Sequence, residues 1–200
     1  MVKTPKESDI STNQHRSQRR SVELASERPY LIGIGGCGMS ALAQLIHEGG
    51  LSVRGCDSTS SPATDALNTA NIQVGFNEDA DQLPEDTDLV IASAAIKPDH
   101  PMMIEATRRG VHILSYPEAL GVCMRGHTGI AIAGTHGKST TTAMLGCALT
   151  DADLDPSVIV GATCAQLSNG ALSDNNTPVG YRVGNGVIPV GSRKGELGVL

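Results

Sequence analysis

Lys138 stands between Gly137 and a run of hydroxyl residues, Ser139-Thr140-Thr141-Thr142, and Gly134-Thr135-His136-Gly137 leads into it. Upstream, Gly129-Ile130-Ala131-Ile132-Ala133 is apolar and reads as a strand; downstream the pattern reads as a helix. Strand, glycine loop, lysine and hydroxyl at a helix start is how a backbone cradles nucleotide phosphates. Amide N–H groups face the anion, the ammonium adds charge, and a hydroxyl can ligate Mg²⁺. The spacing here is G-x-x-G-K-[ST], because the strict phosphate-loop pattern needs glycine where Ile132 stands. The bland alternative is a glycine turn with a solvated lysine. A bare ammonium at a helix N-terminus is unfavourable by about 0.3–1 kcal/mol, and a bound polyphosphate reverses that sign. His136, inside the loop, could touch phosphate, order a water or shape the turn.

A second glycine loop, Gly33-Ile34-Gly35-Gly36-Cys37-Gly38, follows Tyr30-Leu31-Ile32. Gly33, Gly35 and Gly38 fit G-x-G-x-x-G, and Asp57 closes the next strand, where a dinucleotide fold carries its acidic ribose ligand. The functional reading is a nucleotide diphosphate on a helix N-terminus. The alternative is a tight turn that needs glycine for backbone reasons alone. The glycines do not choose the nucleotide. Cys37 fits as a small residue in the loop. His47, His100, His112 and His127 show no metal-ligand spacing and read as ordinary structural residues. Two such loops predict two phosphorylated ligands.

The elements that must position these loops alternate. Strands are expected at Tyr30–Ile34, Leu51–Cys56, Ile72–Gly75, Asp88–Ala92 and Val111–Leu114. Between them, Met39, Leu42, Leu45 and Ile46 make one helical stripe stopped by Gly49-Gly50. Ser61-Pro62 caps a second helix, and Pro101–Arg109 forms a third that ends at Gly110. Strand–helix alternation predicts an α/β fold with a parallel, Rossmann-like sheet and crossover helices. A second unit is expected from Gly126. It has a strand at Thr128–Ala133, a helix at Lys138–Thr150, a strand at Ser157–Val160, and a Gly-, Asn- and Ser-rich stretch from Gly161 to Lys194. Glu196–Leu200 begins to look like another buried strand.

Composition sets bounds on partners. The chain has 200 residues and a formal charge of −6, so a general nucleic-acid binder with a basic face is disfavoured. No apolar run reaches membrane-spanning length, and the start of the sequence has no signal-peptide core. Five scattered cysteines without a C-x-x-C pair suggest reduced thiols in a cytoplasmic protein. With one Phe, three Tyr and no Trp, the core must rest on aliphatic residues. Residues 1–28, including Arg16, Arg19 and Arg20, are polar and read as a disordered, solvated arm.

Five segments occur in order: Gly33-Ile34-Gly35-Gly36-Cys37-Gly38-Met39-Ser40, Gly55-Cys56-Asp57, Ser61-x-x-Thr64-x-x-Leu67, Ser93-Ala94-Ala95-Ile96, and Ala133-Gly134-Thr135-His136-Gly137-Lys138-Ser139-Thr140. In these the chain resembles the Mur ligases, from about Tyr30 onward and most weakly after Gly161. Within that family the resemblance is strongest to the members that join L-alanine to UDP-N-acetylmuramate. It implies a Rossmann-like UDP-sugar domain over residues 29–125 and, over 126–200, the start of a P-loop-type domain that binds ATP and Mg²⁺. Gly35, Gly36, Cys37, Gly38, Met39, Ser40, Asp57, Ser93, Ala94, Ala95 and Ile96 would then belong to the UDP-sugar site. Gly134, Thr135, His136, Gly137, Lys138, Ser139 and Thr140 would hold the ATP phosphates, with Lys138 catalytic on the β/γ-phosphates and Ser139 near Mg²⁺.

The implied reaction serves peptidoglycan synthesis. ATP phosphorylates the lactyl carboxylate of UDP-N-acetylmuramate, the amine of L-alanine attacks the acyl phosphate, and phosphate leaves. Three positions depart from the family pattern: Phe76 where histidine is usual, Tyr116-Pro117-Glu118 for Arg-x-Glu, and Lys-Ser-Thr for Lys-Thr-Thr. An acidic metal-binding segment, the rest of the ATP domain and a third domain are expected beyond Leu200. The chain thus reads as an N-terminal fragment, with Ser157–Val160 and Glu196–Leu200 expected to lack strand neighbours. Three alternatives remain at this level. One is the related ligase that attaches recycled murein peptide to the same UDP-sugar. Another is an NAD-binding oxidoreductase module, which leaves the second loop unexplained. The last is a small NTPase or kinase, which leaves the first unit unexplained.

Overall fold

The computed structural model describes residues 28–125, 127–167, 180–184, 187–190 and 193–196. Most of the arm expected at residues 1–28 lies outside that set. Arg28, the last residue of that arm, is exposed but tethered: its backbone N–H donates to the Asp88 carboxylate at 3.1 Å, and its guanidinium meets Asp86 at 3.7 Å.

Five short strands, β1 (Pro29–Ile32), β2 (Arg54–Cys56), β3 (Gln73–Gly75), β4 (Leu89–Ala92) and β5 (His112–Ser115), form one parallel sheet in the order β3-β2-β1-β4-β5. The central strands β1 and β4 are buried along their whole length, so they read as continuous apolar runs rather than alternating ones. Successive side chains still point to opposite faces. Leu31, Leu89 and Ile91 face a core built with α1 (Cys37–Glu48), α2 (Pro62–Thr69) and α4 (Tyr116–Cys123). Tyr30, Ile32 and Val90 face a second core with Met102 and Ala106 of α3 (Pro101–Arg109).

Local chemistry starts and stops these helices. Ser61 and Thr64 form a reciprocal capping box, with Pro62 at the first helical position of α2. Gly110 ends α3 in the left-handed region at φ 69°, which a residue with a Cβ adopts only under strain. Helix α4 was not expected from periodicity. Its signal is Ser115-x-x-Glu118 with Pro117 in the first turn: one Glu118 oxygen accepts from both the Ser115 N–H and hydroxyl, at 2.8 and 2.6 Å.

The later part of the chain departs from expectation. Helix α5 (Lys138–Asp151) forms, but the strand expected at Thr128–Ala133 does not. The segment alternates half-buried and exposed positions, as a strand would, yet beyond a single bridge at Thr128 no ladder forms along residues 129–133. Apolar alternation prepares a strand; partners complete it.

The opposite correction applies to Ser157–Val160. Strand β6 (Val158–Ile159) pairs antiparallel with β7 (Tyr181–Arg182), and Val158, Ile159 and Val160 are buried. The partner comes from the stretch whose periodicity was too weak to read, fixed by an Arg182–Asp155 ion pair at 2.6 Å. This β6–β7 pair packs on α1, where buried Tyr181 donates its hydroxyl to Glu48 at 3.3 Å. Strands β8 (Val187–Val190) and β9 (Arg193–Glu196) form a second antiparallel pair; the remainder of the strand expected at Glu196–Leu200 lies outside the described residues.

Candidate functional site

In the order β3-β2-β1-β4-β5 the chain leaves β1 toward one side of the sheet and enters β4 on the other. The carboxyl ends of β1 and β4 therefore flank a topological switch point, where open α/β sheets bind ligands. The loop Gly33–Gly38 leaves β1 there, and Ser93–Ile96 turns away from β4 beside it. A Cβ on Gly33 would lie 3.0 Å from the Ser93 Cβ and 3.6 Å from Ile96, and Gly33 has φ 77°. Here glycine answers both a close approach and a left-handed backbone.

Asp57 closes the other side of the loop. Its Oδ2 accepts the Gly35 N–H at 2.8 Å and its Oδ1 accepts the Thr59 N–H at 3.2 Å. A Cβ on Gly35 would stand 2.8 Å from Asp57 Oδ2 and 2.9 Å from Thr64 Cγ2, which explains the glycine. Gly36 caps α1 without any side-chain acceptor, leaving the first-turn N–H groups directed at the switch point. Gly36 and Cys37 are exposed there. Met39 is turned into the core and the Ser40 hydroxyl donates to the Cys37 carbonyl at 3.2 Å, so toward a ligand they offer backbone. Ala94 and Ala95 lie exposed in the turn after β4. Gly35 to Ser40, Asp57 and Ser93 to Ile96 are thus gathered at one edge of the sheet. Phe76, exposed just beyond β3, lies on the same edge, next to Asp57 in the β2–β3 ladder.

The second loop is placed differently. Gly134 to Lys138 are exposed, Gly137 caps α5 at φ 78°, and no side chain caps that helix. Lys138 folds back on its own loop, its Nζ donating to the carbonyls of Gly134 at 2.6 Å and Thr135 at 3.3 Å. An ammonium held at the centre of an uncapped, N–H-lined loop is poised for anionic oxygens. Ser139 is half-buried, and a Cβ on Gly161, just after β6, would lie 3.9 Å from its Oγ. The buried Thr142 hydroxyl donates to the Lys138 carbonyl at 2.8 Å and braces the first turn. His136 and Thr140 are exposed. Among the described residues no three His, Cys, Asp or Glu converge on a metal position.

Two thiols of the surrounding core carry raised pKa values. Burial pushes the Cys56 thiol up to about 11 and the Cys123 thiol up to about 12, so both are inert thiols of the core. His100 is structural, as expected: its Nδ1 accepts the Met102 N–H at 3.3 Å and caps α3. Tyr116, which stands in the sequence only as a departure from Arg-x-Glu, is brought beside the first loop. A Cβ on Gly38 would lie 2.7 Å from its hydroxyl oxygen, so the phenol rests on the first turn of α1. Only the three-dimensional placement of α4 beside α1 shows this.

A doubly wound parallel sheet with a glycine loop at its switch point defines an α/β protein of the class whose ligand sites lie on the carboxyl edge. The family model described as "Mur ligase family, catalytic domain" matches residues 29–128, and the chain belongs to that family. Among curated relatives, the UDP-N-acetylmuramate–L-alanine ligase of Streptomyces coelicolor is 38% identical over 148 residues, 74% of this chain and 32% of its own length. That of Bifidobacterium longum is 41% identical over 132 residues, 66% of this chain and 26% of its own. The chain spans about a third of the length of such relatives. The crystal structure of UDP-N-acetylmuramate–alanine ligase from Thermotoga maritima matches with TM-score 0.71 at 28% identity, covering 86% of this chain and 36% of that one. The UDP-N-acetylmuramate:L-alanyl-γ-D-glutamyl-meso-diaminopimelate ligase of Neisseria meningitides also gives 0.71, at 27% identity, covering 87% and 52%. No helix among the described residues is long and apolar enough to cross a membrane.

Proposed function

We propose that the chain is the nucleotide-binding part of a cytoplasmic, ATP-dependent ligase that joins L-alanine to the lactyl carboxylate of UDP-N-acetylmuramate in peptidoglycan synthesis. One observation carries this reading: a diphosphate-type loop at the sheet's switch point and a lysine-bearing phosphate loop occur in one chain whose relatives at 38–41% identity are named as that ligase. Residues 29–125 form the UDP-sugar domain and residues 126–200 the start of the ATP-binding domain.

In this reading the α1 N-terminus, Gly35 to Ser40, receives the diphosphate, Asp57 holds the loop in its receptive shape, and Ser93 to Ile96 line the opposite wall. The loop from Gly134 to Thr140 fits a triphosphate. Its glycines leave room, α5 is uncapped, and Lys138 exchanges the Gly134 and Thr135 carbonyls for phosphate oxygens. ATP, when bound, supplies the phosphoryl group that turns a poor acyl donor into a good one. Lys138 neutralises charge there, and the two loops orient the reacting groups. In this reading Ser139 would be the Mg²⁺ contact, and one hydroxyl is too small a donor set for that ion.

Calorimetry on the chain should show binding of UDP-N-acetylmuramate and none of NAD⁺; preference for NAD⁺ would sink the ligase reading. Lys138→Ala should abolish ATP binding while UDP-sugar binding survives, and retained ATP affinity would show that the second loop is misassigned. The peptide-recycling ligase remains a second reading because structures of both kinds match with TM-score 0.71. It would be favoured if ADP release in the complete enzyme required the tripeptide instead of L-alanine.

A further inference from the structure

Tyr116 brings a polar atom to the first loop from outside the glycine motif. This residue is the first of α4, and its position is over-determined. Ser115 pairs with Ala92 at the end of the β4–β5 ladder, and the Ser115–Glu118 capping box fixes where the helix begins. The ring packs against the core that α1 and α4 share. Its hydroxyl emerges over Gly38, the second residue of α1, at the place where a Cβ would meet Oη at 2.7 Å and Cζ at 2.9 Å. A side chain at Gly38 would therefore crowd the phenol.

Packing alone does not require the oxygen there. A phenylalanine would fill the same core space, while a half-buried hydroxyl ordinarily finds a partner. Among the described residues Tyr116 Oη has none. It stands beside a helix start that also lacks a side-chain cap, so an unpaired O–H and unpaired N–H groups border one spot. A phenol is protonated at neutral pH and so can donate there, and burial moves its pKa further up.

We propose that the Tyr116 hydroxyl is a binding residue of the nucleoside-diphosphate site, donating a hydrogen bond to a phosphate oxygen of the ligand seated on the α1 N-terminus. This rests on the reading that the first loop receives a diphosphate, and adds to it a side-chain donor that enters from α4, outside the glycine motif. Tyr116 then acts on the phosphates and leaves the base and ribose alone.

Calorimetry of the whole chain with UDP, UMP and uridine, for wild type and Tyr116→Phe, tests this. A hydrogen bond to a charged oxygen predicts that the Phe variant binds UDP roughly tenfold or more weakly. Uridine affinity should be unchanged, as should the thermal midpoint, because the ring is retained. Tight wild-type UDP binding with an unaltered Phe variant would overturn the role of Tyr116 and leave the site reading intact. An equal loss for UDP and uridine would also overturn it, showing that the phenol merely shapes the loop. Failure of wild type to bind UDP at all would overturn the site reading and this proposal together.

Discussion

Replacing Asp57 separates two jobs that the sequence pattern merges. A dinucleotide fold uses the acid at this position on the ribose, and the structure shows it tying down the loop. Its two oxygens serve different donors, Gly35 N–H at 2.8 Å and Thr59 N–H at 3.2 Å. The first bond is half-buried and short; the second is long and exposed. A hydrogen bond to a charged group contributes about 1.5–3 kcal/mol net, so Asp57→Ala should cost about 2–3 kcal/mol, nearly all of it from Gly35. Asp57→Asn keeps one acceptor oxygen and turns an NH₂ toward the second donor. It should keep the Gly35 bond, surrender Thr59 to water and cost about 1 kcal/mol or less. In urea, with a slope of about 1–3 kcal/mol/M, the Ala variant's midpoint should fall by about 1 M and the Asn variant's by a fraction of that. UDP-N-acetylmuramate binding should weaken in the same order, because an untied loop no longer presents its N–H groups. An Ala variant as stable as wild type, with binding lost, would refute the reasoning and return Asp57 to a purely ligand-contacting role.

Glu118 offers a pH test. Its hydrogen bonds to Ser115 hold its carboxyl below the usual glutamate range, so its contribution is fully present above that range and is lost as pH falls through the depressed folded value. The stability gap between wild type and Glu118→Gln should be flat from neutral pH down to the ordinary glutamate pKa and close below it; a gap that closes near neutrality would exclude the capping box as its source. Thiol alkylation near neutral pH should label exposed Cys37 first, with UDP-N-acetylmuramate slowing it. Buried Cys56 and Cys123, pushed up to about 11 and about 12, should lag far behind, and labelling of Cys123 as fast as Cys37 would show that α4 is not packed as described.

What the sequence made legible was local. Ser61-Pro62, the helix stop at Gly110, and the two glycine loops each carry their conformational reason within a few residues, and each stands where it was expected. Helix α4 was also locally encoded, by Ser115, Pro117 and Glu118, and was overlooked because its apolar periodicity is weak. The misses of the second kind are not local. Ile130 and Ile132 have strand-like alternation and no ladder, while Val158 and Ile159 gain one from Tyr181 and Arg182, far along the chain. Pairing at that separation leaves no periodic trace. The same holds for Tyr116 over Gly38: the glycine is readable as a motif member, but the phenol that lies over it arrives from another helix.

Helix α1 is a strut with a function at each end. It has 12 residues, about 18 Å at 1.5 Å per residue. Its first turn carries the loop at the switch point, and its last holds Tyr181 through Glu48. From Tyr181 the β6–β7 ladder leads to Gly161, which abuts Ser139 in the second loop. The two glycine loops are therefore joined by a girder of helix and paired strand as well as by the covalent chain. Displacing one loop relative to the other means tilting α1 against the sheet or unseating Tyr181.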